Sequence, residues 1–339
     1  MDDHKFFRFS VGLILIFVLG IVLKAAREVI YPFILAIFIS YVVDPIMAFL
    51  QRLKIPKAAA AAIILLGAFV VLSLIGLVVY SSGKTLAAEL PRFEQRLTDL
   101  TGWLEKGVGG IPLKRQVASY IEKINLQGAA SFVLGALGPI LGLFGKLFLL
   151  FLFLAVIMFG RGRITVKVRK FLSPERSAQV MEALEKINFQ VRKYLVIKTV
   201  LSLINGFIVW AVLALFGVDF ALLFGFLAFL LYYIPNIGSL VATVLRVGFA
   251  LFQFGTIWTP LWVLVITVGA DNVLGNMIEP RMMGKGLGLS PLVLIFSLVF
   301  WGWLWGIPGM VMAVPLVAVI KIVCQNVPSL RPVAVLIGS

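Results

Sequence analysis

Between Asp271 and Pro280 the chain reads DNVLGNMIEP, which sets two carboxylates, two amides and a glycine into otherwise apolar sequence. Carboxylates exchange protons and bind cations, and amides both donate and accept hydrogen bonds. On a helix turning about 100° per residue, Asp271, Gly275, Glu279, Asn272 and Asn276 fall within an arc of about 140°. Val273, Leu274, Met277 and Ile278 fill the remainder. This stripe predicts a polar path or a cation or proton site, with Gly275 allowing close approach of a neighbour. A helix end solvated at a membrane interface carries the same stripe, and Pro280 and Arg281 fit such an end.

A second irregular stretch is YYIPNIGSL, Tyr232 to Leu240. Pro235 removes a helical donor and clashes with the carbonyl four residues earlier. Asn236 supplies a group for a freed backbone position or a ligand, and Gly238 lets the chain turn. Broken helices survive at membrane depth only where protein or a watery cavity surrounds them, and transporters use them to present peptide dipoles to substrates. The alternative is a helix that ends at the inner surface, marked by Arg246. Asp44, before Pro45, is a further candidate with Arg246 and Arg281, although a helix end at the interface also explains it. Lys146 and Lys198 read as side chains that snorkel to an interface.

Other chemistry is excluded by residue type. The single histidine, His4, and single cysteine, Cys324, provide no histidine pair and no multi-cysteine metal cluster. In GKGLGLSP, Gly284 to Pro291, Lys285 is followed by Gly286 where a phosphate loop needs a hydroxyl residue. The stretch reads instead as a hinge, with Ser290 as N-cap and Pro291 at the first helical position. No metalloprotease or nucleophile-elbow motif occurs, so neither an enzyme nor a cofactor is expected.

The elements that must position these residues are membrane helices. The chain is 339 residues long, 61% hydrophobic and 13% charged, with a mean hydropathy of +1.08; soluble domains are about 45–50% apolar and about 25% charged. The expected fold is an all-α, polytopic integral membrane bundle with about seven or eight hydrophobic segments, including broken or re-entrant helices near the C-terminus. Spans are predicted at 9–23, 29–50, 58–82, 130–160, 195–217 and 220–245. The first resembles a signal-peptide core, but the spans that follow favour an uncleaved helix. The organisation is then N-terminal helices (1–83), an extracytoplasmic amphipathic segment (84–129), a helix (130–160), a basic amphipathic segment (161–193) and a C-terminal transport core (194–339).

The formal charge of +15 comes from 30 Lys and Arg against 15 Asp and Glu. It lies mainly in loops, which points to the positive-inside rule rather than to nucleic acid. Segment 161–193 carries 9 basic and 3 acidic residues. Its helix starts at Ser173 and Pro174, with Val180, Leu184, Ile187 and Val191 at helical spacing; a membrane surface or a partner protein would suit it. Placing it in the cytoplasm puts the N-terminus and the QRLKIPK loop inside and 83–129 outside. Arg246, Arg281, Lys285, Lys321 and Arg331 are then inside too. The two interrupted runs after 246 must leave and return to one side, as hairpins with tips near Trp258-Thr259-Pro260 and Gly306-Ile307-Pro308-Gly309. Legs of about 12–15 residues are short for a full crossing.

YVVDP, YYIPNIGS and NMIEPRMMGKGLGLSPLVLIFSLVFWGWLWGIPGMVMAVPL together closely resemble the autoinducer-2 exporter family of bacterial inner-membrane proteins. The resemblance covers nearly the whole chain. It implies an all-helical, homo-oligomeric membrane bundle that exports small molecules; other members of that family resemble sodium/proton antiporters. The family's motifs fall on Pro235, Asn236, Ile237 and Gly238, on Glu279, Pro280, Arg281, Met283 and Gly284, and on Gly286 to Ser290. Relatives commonly carry a proline after the first motif, where this chain has Leu245 and Arg246.

Three functions follow as expectations. The first is a secondary transporter exporting a small polar molecule, with Asp271 and Glu279 as proton-coupling groups and Asn236, Asn272 and Asn276 as ligands. The second is a cation/proton antiporter using the same acids. The third is a membrane scaffold working through 84–129 and 161–193. Membrane lipids are expected partners throughout.

Overall fold

The structure, a computed structural model, describes residues 18, 20–107, 147–160, 170–171, 173–284 and 287–338. His4, Lys146, Lys285 and Gly286, most of the 9–23 run and all of segments 108–146 and 161–169 lie outside the described residues.

Every regular element among the described residues is helical. In chain order these are α1 (Arg27–Arg52), α2 (Lys57–Gly107), α3 (Leu147–Gly160), α4 (Pro174–Leu215), α5 (Ala221–Leu231), α6 (Ile237–Phe254) and α7 (Trp258–Asn272). A π-helical turn (Val273–Ile278) leads into α8 (Glu279–Met283), followed by α9 (Pro291–Trp305), α10 (Ile307–Asn326) and α11 (Arg331–Ile337). Six helices among the described residues are long and apolar enough to cross a membrane, and three shorter apolar helices accompany them. The chain is an all-α, multi-span membrane protein. Large side chains such as Leu66, Leu74, Phe148 and Leu292 are exposed on these helices, as lipid-facing positions require.

Several elements are longer than the apolar runs alone predict. Helix α2 continues past Ser82 to a length of 51 residues, so much of the segment expected outside the membrane prolongs the span before it. Helix α4 has 42 residues and begins at Pro174, joining the basic amphipathic stretch and the next span in one element. Charge periodicity shifts along it, but no proline or glycine pair interrupts the backbone, so the helix persists.

Two units divide the chain. One comprises Met1–Leu65, Lys146–Ile197 and Met283–Ser339. Its core gathers Tyr31, Phe38, Val191, Tyr194, Leu195, Leu304, Trp305 and Met312. Here α9 and α10 form a hairpin that packs on α1. Ser290 and Pro291 begin α9 as expected, and Lys321 Nζ donates to the carbonyls of Leu287 and Gly288, holding the loop before it.

The other unit comprises Leu66–Gly145 and Lys198–Met282, with a core of Val79, Val209, Leu213, Leu223, Phe224, Ala242 and Val263. At Gly206 and Gly225 a Cβ would lie 2.8 Å from the other's carbonyl oxygen, so α4 and α5 touch backbone to backbone. Helices α6 and α7 form a second hairpin. The single span expected over 220–245 is instead two helices with a break at Tyr232–Asn236. The expected hairpin legs of about 12–15 residues are exceeded here, because α6 runs 18 residues and passes straight through Arg246.

The break is built tightly. The Ile237 N–H donates to Pro235 O at 2.6 Å across Asn236, whose φ of 59° and ψ of −52° form a γ-turn of the strained hand. Such a conformation costs a non-glycine residue about 1–3 kcal/mol. Asn236→Gly is therefore expected to raise the melting temperature in detergent by about 2–4 °C; a fall would show that the asparagine side chain holds the turn.

Candidate functional site

The second unit carries two ion pairs in its interior. Arg246, in the middle of α6, is 1% exposed and donates from Nη2 to Asp271 Oδ2 at 2.7 Å and to Thr243 Oγ1 at 2.8 Å. Lys198, on α4, donates from Nζ to both Glu279 oxygens at 2.9 Å, with the two side chains 5% and 18% exposed. The same ammonium stands 4.5 Å from the centre of the Tyr232 ring. The Tyr232 hydroxyl is buried within electrostatic reach of both Glu279 and Asp271. Tyr232 therefore lies beside the Lys198–Glu279 pair, and it belongs to the residues that open the helix break.

Local sequence explains why these groups converge. Burying a lone charge costs several kcal/mol, so each acid must meet a base or leave the interior. Asp271 and Glu279 point inward on either side of the π-helical turn, whose i→i+5 bonding widens the backbone and changes which residues share a face. A straight α-helix would put all five polar-stripe positions together. In the structure Asp271 is buried and Gly275 and Glu279 are half-buried, whereas Asn272 and Asn276, at one edge of the arc, are exposed. The two amides bond locally: Asn276 Nδ2 donates to Asn272 Oδ1, and Asn272 Nδ2 to Val268 O. Gly275 faces the tyrosine, since a Cβ there would lie 3.6 Å from the Tyr232 hydroxyl.

The remaining candidates are placed as follows. Pro235 and Gly238 build the break, and the exposed Asn236 side chain forms no hydrogen bond among the described residues. Arg281 is exposed at the end of α8. Asp44 is half-buried in α1 and belongs to the other unit. Arg246 does not mark a helix end: it lies within α6 as a buried charge paired with Asp271. Lys198 does not snorkel; Glu279 takes up its charge within the protein.

Sequence reading passed over Lys198, Ser202 and Asn205 as a group. All three are buried, at 4%, 0% and 1% exposure, and their i, i+4, i+7 spacing puts them on one face of α4. That spacing was the available signal.

The cluster can do two things. The two bases cancel the two acids, so it holds no net charge for an incoming ion to neutralise. The Arg246–Asp271 pair also keeps spare capacity, since Arg246 Nε and Nη1 and Asp271 Oδ1 are buried without a hydrogen-bond partner among the described residues. Such groups bind solutes that donate and accept hydrogen bonds.

Similarity to known proteins places the chain in a family. Residues 12–329 match the model of the "AI-2E family transporter". The chain is 32% identical to "AI-2 transport protein TqsA" of Escherichia coli K12, over 96% of this chain and 94% of that protein. It is also 32% identical to a "Putative transport protein" of Borreliella burgdorferi, over 93% and 86% of the two chains. A third relative, YhhT of Escherichia coli K12, named "Putative transport protein", is 30% identical over 93% and 90%. A family match of this extent, over a helical chain with paired charges inside its span-length helices, makes this protein a member of the AI-2E transporter family.

Proposed function

We propose that this protein is a secondary transporter of the bacterial inner membrane that exports a small polar molecule, by kinship autoinducer-2, coupled to the proton gradient. The N-terminus lies in the cytoplasm in this reading, as the positive-inside pattern requires. The observation that carries it is the pair of neutralised acids around Tyr232, one of them with unused hydrogen-bonding groups. Protonation of Glu279 would release Lys198, and reionisation would recapture it. Charged pairs at span depth are otherwise too costly to keep.

Glu279→Gln is expected to reduce autoinducer-2 flux in sealed vesicles by about tenfold or more, equivalent to about 1.4 kcal/mol or more. The flux should also lose its dependence on a proton gradient. Unchanged flux in both Glu279→Gln and Asp271→Asn would remove the coupling role.

A second reading is a cation/proton antiporter. It draws on the Lys198–Glu279 contact, in which both carboxylate oxygens face one ammonium that a sodium ion would have to displace. Sodium-driven proton movement in vesicles without organic solute would favour it.

A further inference from the structure

Ser202 Oγ and Asn205 Oδ1 are buried and have no hydrogen-bond partner among the described residues. A serine inside a helix ordinarily satisfies itself on the carbonyl four residues earlier, but Ser202 makes no such bond here. Both residues lie on the face of α4 that begins at Lys198, about 10 Å along the helix from it at Asn205. Past Asn205 this polar face stops: Gly206 meets Gly225 backbone to backbone, and Val209 and Leu213 are fully buried. The flanking Leu203 and Ile204 are exposed.

We propose that Ser202 and Asn205 extend the transport path beyond the Lys198–Glu279 pair as a hydrated stripe, closed in this structure by the Gly206–Gly225 contact. The inference rests on the transport reading above. A hydroxyl and an amide oxygen in this position suit water and an uncharged, hydrogen-bonding permeant, and they offer no charge to an ion. Two adjacent helical turns with unused polar atoms, continuous with a buried ion pair, are costly unless something polar visits them.

The test uses the chain's single cysteine. In a full-length Cys324→Ala background, Ser202→Cys and Asn205→Cys are treated in vesicles with 2-aminoethyl methanethiosulfonate. Leu201→Cys, equally buried on the same turn but apolar, is the reference. Reaction needs thiolate, which water favours and apolar burial suppresses; each unit of thiol pKa changes it tenfold. Both cysteines are expected to react at least about tenfold faster than Leu201→Cys, and excess autoinducer-2 should slow them. Rates no higher than that of Leu201→Cys in both variants, each eluting as a single folded species, overturn the proposal. Flux lost in Glu279→Gln with unreactive 202 and 205 positions would leave the transport reading standing and this one refuted. Reactive positions in a protein without flux would do the reverse.

Discussion

Arg246→Ala is expected to destabilise the protein by about 3–5 kcal/mol, because it leaves Asp271 charged, buried and unpaired. Asp271→Ala should cost a similar amount, stranding the guanidinium. The double variant should recover a large part of the loss, since neither charge remains buried without its partner. Arg246→Lys should sit between wild type and Arg246→Ala, because a lysine keeps the charge but does not reproduce a guanidinium that contacts Asp271 and Thr243 together. Thermal unfolding in detergent across this cycle measures the coupling directly. If the double variant were as unstable as the sum of the singles, Arg246 and Asp271 would be energetically independent and would not form a coupled pair.

The second large effect lies at Gly238. A Cβ at this position would fall 1.8 Å from Leu231 O, a backbone atom that no side-chain rearrangement relieves. Gly238→Ala is expected to cost about 3 kcal/mol or more, at or beyond the upper range for overpacking. Ten residues on in the same helix, a Cβ at Gly248 would meet nothing within 4 Å, and Gly248→Ala should stabilise by about 0.5–1 kcal/mol. The same substitution therefore changes sign within α6. Melting temperatures of the two variants decide it, and a mild Gly238→Ala would mean the turn at Tyr232–Asn236 is looser than its geometry. Gly309, where a Cβ would lie 1.9 Å from Trp301 O, closes the α9–α10 hairpin in the same manner.

These contacts explain why some of the site was legible from sequence and some was not. Asp271 and Glu279 stood out because charge within apolar sequence is rare, Gly275 because it lies between them on the same stripe, and the Pro235–Gly238 stretch because it cannot continue a helix. The division of the stripe was hidden, because helical angles order residues around the axis but do not show which edge of a polar arc a neighbour covers. Asn272 and Asn276 fall on the exposed side. Arg246 and Lys198 were misread for a different reason. An isolated charge in sequence resembles an interfacial one, and only its partner 25 or 81 residues away shows that it is buried.

Composition and apolar periodicity by themselves determined that this chain is helical and membrane-embedded, because hydrocarbon admits backbone only when its hydrogen bonds are closed within each segment. Local breakers likewise fixed where α4 and α9 begin. Which acid meets which base, which face of α7 turns inward, and where one helix becomes two were decided by tertiary structure. The physical reason is that a charge inside the protein is tolerable only beside its opposite, and a one-dimensional pattern holds no distances between distant residues.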